Sequence, residues 1–123
     1  VLQLQPDFSH EICFVPYRGA FARGIIAAVY FHYGGSETEL KNMYRNYYET
    51  HPFVCITDEP VHLKQVVNTN RCLLHLEQKG NRIVITSVID NLLKGASGQA
   101  VQNMNLIFGL PEKTGLQLKA VAF

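Results

Sequence analysis

The sequence predicts an α+β domain: a mixed, mostly antiparallel sheet with helices packed on one face. Three observations carry this. Extended, β-branched stretches outnumber helical ones. Most connections between them are short. Two segments repeat their apolar residues with a period near 3.6. The 123 residues are 47% hydrophobic and 17% charged, enough to bury a core and too apolar for a disordered chain.

The elements follow in order. Residues 1–10 form a short amphipathic lead, and Glu11 to Val15 reads as a strand closed by Pro16. Tyr17 to Gly24 is turn-rich, with two glycines and two arginines. Ile25 to Tyr33 is apolar at both odd and even positions, the pattern of a strand covered on both faces. Gly34-Gly35 ends it. Ser36 and Glu39 fit a capping box. Leu40, Met43, Tyr44, Tyr47 and Tyr48 then make one helical stripe, which should stop near His51-Pro52. The tyrosines read as helix core and interface rather than as a stacking platform.

Phe53 to Thr57 is a short strand, Asp58 to Pro60 a loop, and His62 to Val67 a further extended stretch. Arg71–Glu77 and Arg82–Ile89 read as a hairpin with Gly80 at its tip. A helix over 96–109 carries Val101, Met104, Ile107 and Phe108 on one face, with Gly109 as its terminator. Leu116 to Phe123 is an apolar extended tail. The total is five or six strands and two helices in one domain spanning 1–123, without repeats or a linker.

Charge and motifs exclude several classes. The net charge is +1, so nothing points to a nucleic-acid partner. No apolar run is long enough for a membrane span, and the start lacks a basic cap before an apolar stretch. The chain begins with Val1 rather than Met, which reads as a cut edge. The five histidines lack metal-ligand spacing, and no phosphate-loop or nucleophile-elbow motif occurs. Cys13, Cys55 and Cys72 form no CxxC and read as buried, reduced thiols.

Two segments depart from simple core logic. Between Asp90 and Asn105 a strand ends, a small-residue turn follows, and a helix begins. Gly95, Ala96, Ser97 and Gly98 would leave backbone N–H groups bare there, open to an anion or a flat ligand. The plainer reading is a helix cap with a solvated amide face. Arg23 stands between small residues just before a strand. It reads equally as a bidentate ligand for a carboxylate or phosphate and as a surface loop arginine.

The run from Asp90 through Gly95-Ala96-Ser97-Gly98-Gln99 to Leu106 resembles the C-terminal signature of the N-acetyl-gamma-glutamyl-phosphate reductases, within the semialdehyde-dehydrogenase group. Phe108 to Glu112 and Thr114 to Leu116 continue the match. Phe14-Val15-Pro16 with Arg23-Gly24-Ile25, Pro52-Phe53-Val54, and Asn68 to Cys72 resemble further family segments in the same order. The family is a two-domain, NADP-dependent reductase that converts N-acetylglutamyl phosphate to the semialdehyde in arginine biosynthesis. A cysteine thiolate takes the acyl group, hydride from NADPH reduces the thioester, and a histidine moves protons.

The resemblance implies a fragment. The family's nucleophilic cysteine, its dinucleotide-binding domain and its His-x-His-x-Pro-Glu motif belong upstream of Val1. No catalytic residue is therefore assigned on this chain, no metal site is implied, and the chain alone should be inactive. By the same resemblance Arg23 holds the substrate's carboxylate or phosphate, and Asn70 shapes the same pocket. Asn91, Lys94, Gly95, Ala96 and Gln99 lie against the nicotinamide end of NADP, and the helix over 96–109 packs on the absent NADP-binding domain. The sheet builds the subunit interface of a homo-oligomer, dimer or tetramer, in the cytoplasm or, in a plant, the plastid.

Tyr17, Arg18, Ala20 and Asn68 depart from the family pattern. They leave the acyl group open, with N-succinyl or LysW-carried substrates as relatives. Two other classes stand beside this one: a non-catalytic dimerisation or scaffold domain, and an independent thiol enzyme using Cys13 or Cys72.

Overall fold

The computed structural model describes residues 7–120. Its sheet has four strands: β1 (Ile25–His32), β2 (Val54–Thr57), β3 (Cys72–Lys79) and β4 (Arg82–Ile89), in the order β1-β4-β3-β2. The pairs β1/β4 and β3/β4 are antiparallel, and β2/β3 is parallel. With helices α1 (Glu37–Tyr48) and α2 (Gly98–Ile107) this is an α+β arrangement, as expected. The hairpin turns at Gly80, whose φ of 62° is one that L side chains rarely adopt.

Helix α1 begins where the capping box requires. The Ser36 hydroxyl accepts from the Glu39 N–H, and the Glu39 carboxylate takes the Ser36 N–H. A reciprocal pair, Glu37 N–H to Gln78 Oε1 and Gln78 N–H to Glu37 Oε2, docks this helix start onto the end of β3. The helix lies over one sheet face. Leu40 packs there with Leu74, Leu76, Ile83 and Ile85, and half-buried Tyr44 and Tyr48 flank them. Leu76 and Ile83 have no exposed surface; such burial contributes roughly 1.5–3 kcal/mol per side chain. Met43 and Tyr47, on the same stripe, face outward. Replacing Ser36 with Ala is expected to cost about 1 kcal/mol, read as a lowered denaturant midpoint at unchanged slope.

The opposite face is covered differently. Residues 62–67 do not run extended. The His62 N–H donates to Gln65 Oε1, and Leu63–Gln65 forms a single tight 3-10 turn. This local bonding folds Val66 inward onto Leu73 and Val88. Asn68 then takes a left-handed φ of 65°, a conformation Asn tolerates better than other non-glycine residues.

Three further expectations are corrected. Glu11 to Val15 is not a strand; it finds no neighbouring strand among the described residues, and Phe14 and Val15 are exposed. β1 is a strand but is not covered on both faces. Among the described residues it pairs only with β4, and α1 packs over β2 and β3 instead, so Ile25, Ile26, Val29 and Tyr30 are about half exposed or more. Cys13 is exposed rather than buried, while Cys55 and Cys72 are half-buried free thiols. The lead over residues 1–6 and the end of the tail, residues 121–123, lie outside the described residues. Leu116 is buried, and no strand forms from it to residue 120. No helix of the described residues is long and apolar enough to cross a membrane.

Candidate functional site

The site forms where β4 ends. Asp90 follows the last residue of β4 and has no exposed surface. Its carboxylate accepts from five donors. Oδ1 takes Arg23 Nε at 3.3 Å, Leu92 N–H at 2.8 Å and Leu93 N–H at 3.0 Å; Oδ2 takes Arg23 Nη2 at 2.6 Å and Asn68 N–H at 2.7 Å. Burial pushes the carboxyl pKa up. The Asn68 N–H, the Arg23 guanidinium and the Leu93 and Leu92 N–H groups outweigh it and hold the group below its ordinary value. Asn91 completes the junction by accepting the Gly24 N–H on Oδ1 at 2.7 Å. The segments 23–25, 68–70 and 90–98 therefore meet at one end of the sheet.

The turn itself differs from the expected one. Gly95 N–H reaches Asp90 O at 2.8 Å, Ser97 N–H reaches Leu92 O at 3.0 Å, and the Gly98 N–H reaches Leu93 O. These are five-residue spacings, so Leu93–Ser97 is a π-type turn leading directly into α2. Three of the four N–H groups expected to be bare, those of Gly95, Ser97 and Gly98, are thus taken by nearby carbonyls. The helix expected over 96–109 is Gly98–Ile107, closed at Gly109 with φ 67°, where Leu110 N–H returns to Asn105 O.

The residues proposed from the sequence divide into two groups. Arg23 and Asn91 belong to the Asp90 junction, and Gly95 sits beside it: a Cβ there would lie 3.4 Å from Asp90 O. Ala96 is exposed next to it. Asn70 is buried; its Nδ2 donates to Leu116 O at 2.9 Å, and its Oδ1 is pressed against Gly98 without a hydrogen-bond donor. Lys94 and Gln99 point elsewhere. The Lys94 ammonium donates to Gln99 Oε1 at 2.7 Å and Gln102 Oε1 at 2.5 Å, and sits 5.6 Å from the Phe53 ring centroid. Burial lowers its pKa, against the opposing fields of Cys72 and Glu112.

Sequence reasoning assigns no role to Asp90 or Asn68, although both stand in segments that carry the family resemblance. A strand-terminal Asp followed by a turn is the available signal, because such a carboxylate can take the N–H groups two and three residues on. Cys72 gains no activation here. Burial pushes its thiol up, and Lys94 only partly offsets this. Two surface concavities, of about 290 Å³ by Met43, Tyr44, Tyr47 and Tyr48 and about 340 Å³ by Glu49, Pro52 and Pro111, lie away from the junction.

The sequence that builds this sheet and its Asp90 junction is matched by a family model. The model is described as "Semialdehyde dehydrogenase, dimerisation domain" and covers residues 2–91. The chain belongs to this family. Its sequence is 60% identical over 121 residues to an N-acetyl-gamma-glutamyl-phosphate reductase of Christiangramia forsetii, covering 98% of this chain and 38% of that protein. Proteins of the same name from Flavobacterium johnsoniae and Bacteroides thetaiotaomicron are 53% identical over 123 residues and 55% over 121, covering 100% and 98% of this chain. The chain spans about 38% of the length of these relatives.

Proposed function

We propose that the chain is the C-terminal, substrate-binding and dimerisation part of an NADPH-dependent N-acetyl-gamma-glutamyl-phosphate reductase. That enzyme reduces N-acetylglutamyl phosphate to N-acetylglutamate 5-semialdehyde in arginine biosynthesis, in the cytoplasm or, in a plant, the plastid. The relatives' name and the family support this reading. The observation that carries it is the partly exposed Arg23 guanidinium, its side chain 32% accessible, anchored at the junction of 23–25, 68–70 and 90–98. Nε and Nη2 are given to Asp90, and the remaining N–H groups are directed to the acyl phosphate or the α-carboxylate. Asn70 acts on the pocket through Gly98 and Leu116.

The turn suits one end of NADP and not the other. Gly95 and Ala96 are exposed and small, so a flat ring can approach their backbone. The Gly95, Ser97 and Gly98 N–H groups are internally bonded and so do not cradle a pyrophosphate. Gly95 and Ala96 would therefore border the nicotinamide end, with Asn91 fixing the turn and Lys94 and Gln99 bracing its outer side. When bound, NADPH supplies the hydride. This chain's own residues bind the anion and shape the ring site; the nucleophile and the acid–base histidine are assigned to the chain upstream.

Two apolar surfaces fit the remaining roles. Met104 and Ile107 on α2 and Phe108 just after it are 44%, 77% and 73% exposed and would dock on the NADP-binding domain. β1, an uncharged edge strand of eight residues up to His32, would be covered by a second copy. In the full-length protein, Arg23→Gln is expected to raise KM for the acyl phosphate about tenfold or more, since a charge-assisted bond is lost. Steady-state kinetics check this; an unchanged KM removes Arg23 from the substrate site.

A further inference from the structure

We propose that Asp90 is the positioning residue for Arg23, fixing its guanidinium edge-on and tying that arm to the turn over residues 91–98. The inference rests on Arg23 being the anion-binding arm. Arg23 lies in an irregular segment, where no ladder of backbone bonds limits its rotamers. Only Asp90 holds it among the described contacts, through Nε and Nη2 on one edge of the plane. That geometry spends one edge and presents the Nη1 side outward, consistent with a guanidinium one-third exposed beside a carboxylate with no exposed surface.

The carboxylate is itself immobilised. Three backbone N–H groups, from Asn68, Leu92 and Leu93, also donate to its two oxygens. Asn91 holds Gly24, the neighbour of Arg23, from the same turn. The substrate arm and the cofactor-side turn therefore share one anchor. Displacing it should disturb affinity for both ligands together, whereas a purely structural ion pair would lower the amount of active protein and leave KM alone.

The test uses the full-length protein with Asp90→Asn, Arg23→Ala and the double variant, assayed with the acyl phosphate and NADPH. Asn keeps one oxygen for the backbone donors and loses the charge that holds Arg23. The expected result is a KM for acyl phosphate raised about tenfold in Asp90→Asn, a smaller rise for NADPH, and kcat changed less than either. Millimolar guanidinium should restore activity to Arg23→Ala and fail to restore it to the double variant. If Asp90→Asn does not fold, by circular dichroism, Asp90→Glu displaces the charge by one methylene and is expected to raise the same KM. An unchanged KM in the folded Asp90 variant, with KM raised in Arg23→Ala, overturns the positioning role and leaves the Arg23 reading standing. An unchanged KM in Arg23→Ala overturns that reading, and this inference with it.

Discussion

Asp90→Ala is expected to lower stability by about 3–5 kcal/mol, the range for removing one partner of a buried pair. The substitution leaves the Asn68, Leu92 and Leu93 N–H groups and the Arg23 guanidinium without their acceptor. Arg23 is about one-third exposed and can recover some hydration, which favours the lower end of that range. The change should also alter the acid response. The folded-state pKa of Asp90 lies below its ordinary value, so its contribution is present above about pH 4 and is lost as pH falls through the folded value. Stability plotted against pH should therefore fall less steeply on the acid side in Asp90→Ala than in the parent. Denaturant unfolding across pH 3–7 reads both effects; parallel curves would remove Asp90 from the acid limb.

Gly98→Ala should destabilise by about 2–4 kcal/mol, although Ala is the better helix former by up to about 1 kcal/mol. Gly98 has an ordinary helical φ of −66°, so backbone conformation is not the reason. The reason is space. A Cβ would overlap Asn70 Oδ1 and come within 2.9 Å of the Leu93 carbonyl oxygen. Asn70 cannot give way cheaply, because it is 3% exposed and bonded to Leu116 O at 2.9 Å. Adding Asn70→Ala to Gly98→Ala should recover part of the loss, a non-additivity of 0.5 kcal/mol or more, roughly, for residues in contact. Thermal or denaturant melts of the two single variants and the double variant test this. A Gly98→Ala variant as stable as the parent would refute the packing account.

The elements with strong local signals were legible. The Ser36–Glu39 box, the Leu40–Tyr44–Tyr48 stripe, the hairpin around Gly80 and the stop at Gly109 are each specified by adjacent residues. What escaped depends on partners far along the chain. Periodicity could not show that β1 would sit at the sheet edge, because pairing order is a tertiary property. His62 to Val67 has strand-like residues, but one Gln65 side-chain bond and the burial of Val66 turn it inward. At the site, the small-residue turn and Arg23 stood out in the sequence. The Asp90 carboxylate joining them spans 67 residues to Arg23 and carries no local signature of that pairing.

Parallel assays of NADPH consumption with N-acetylglutamyl phosphate, comparing the full-length protein with the 123-residue chain alone, test the central reading most directly. Turnover is expected from the full-length protein and none from the chain. An inert full-length protein, or turnover by the chain alone, would contradict it.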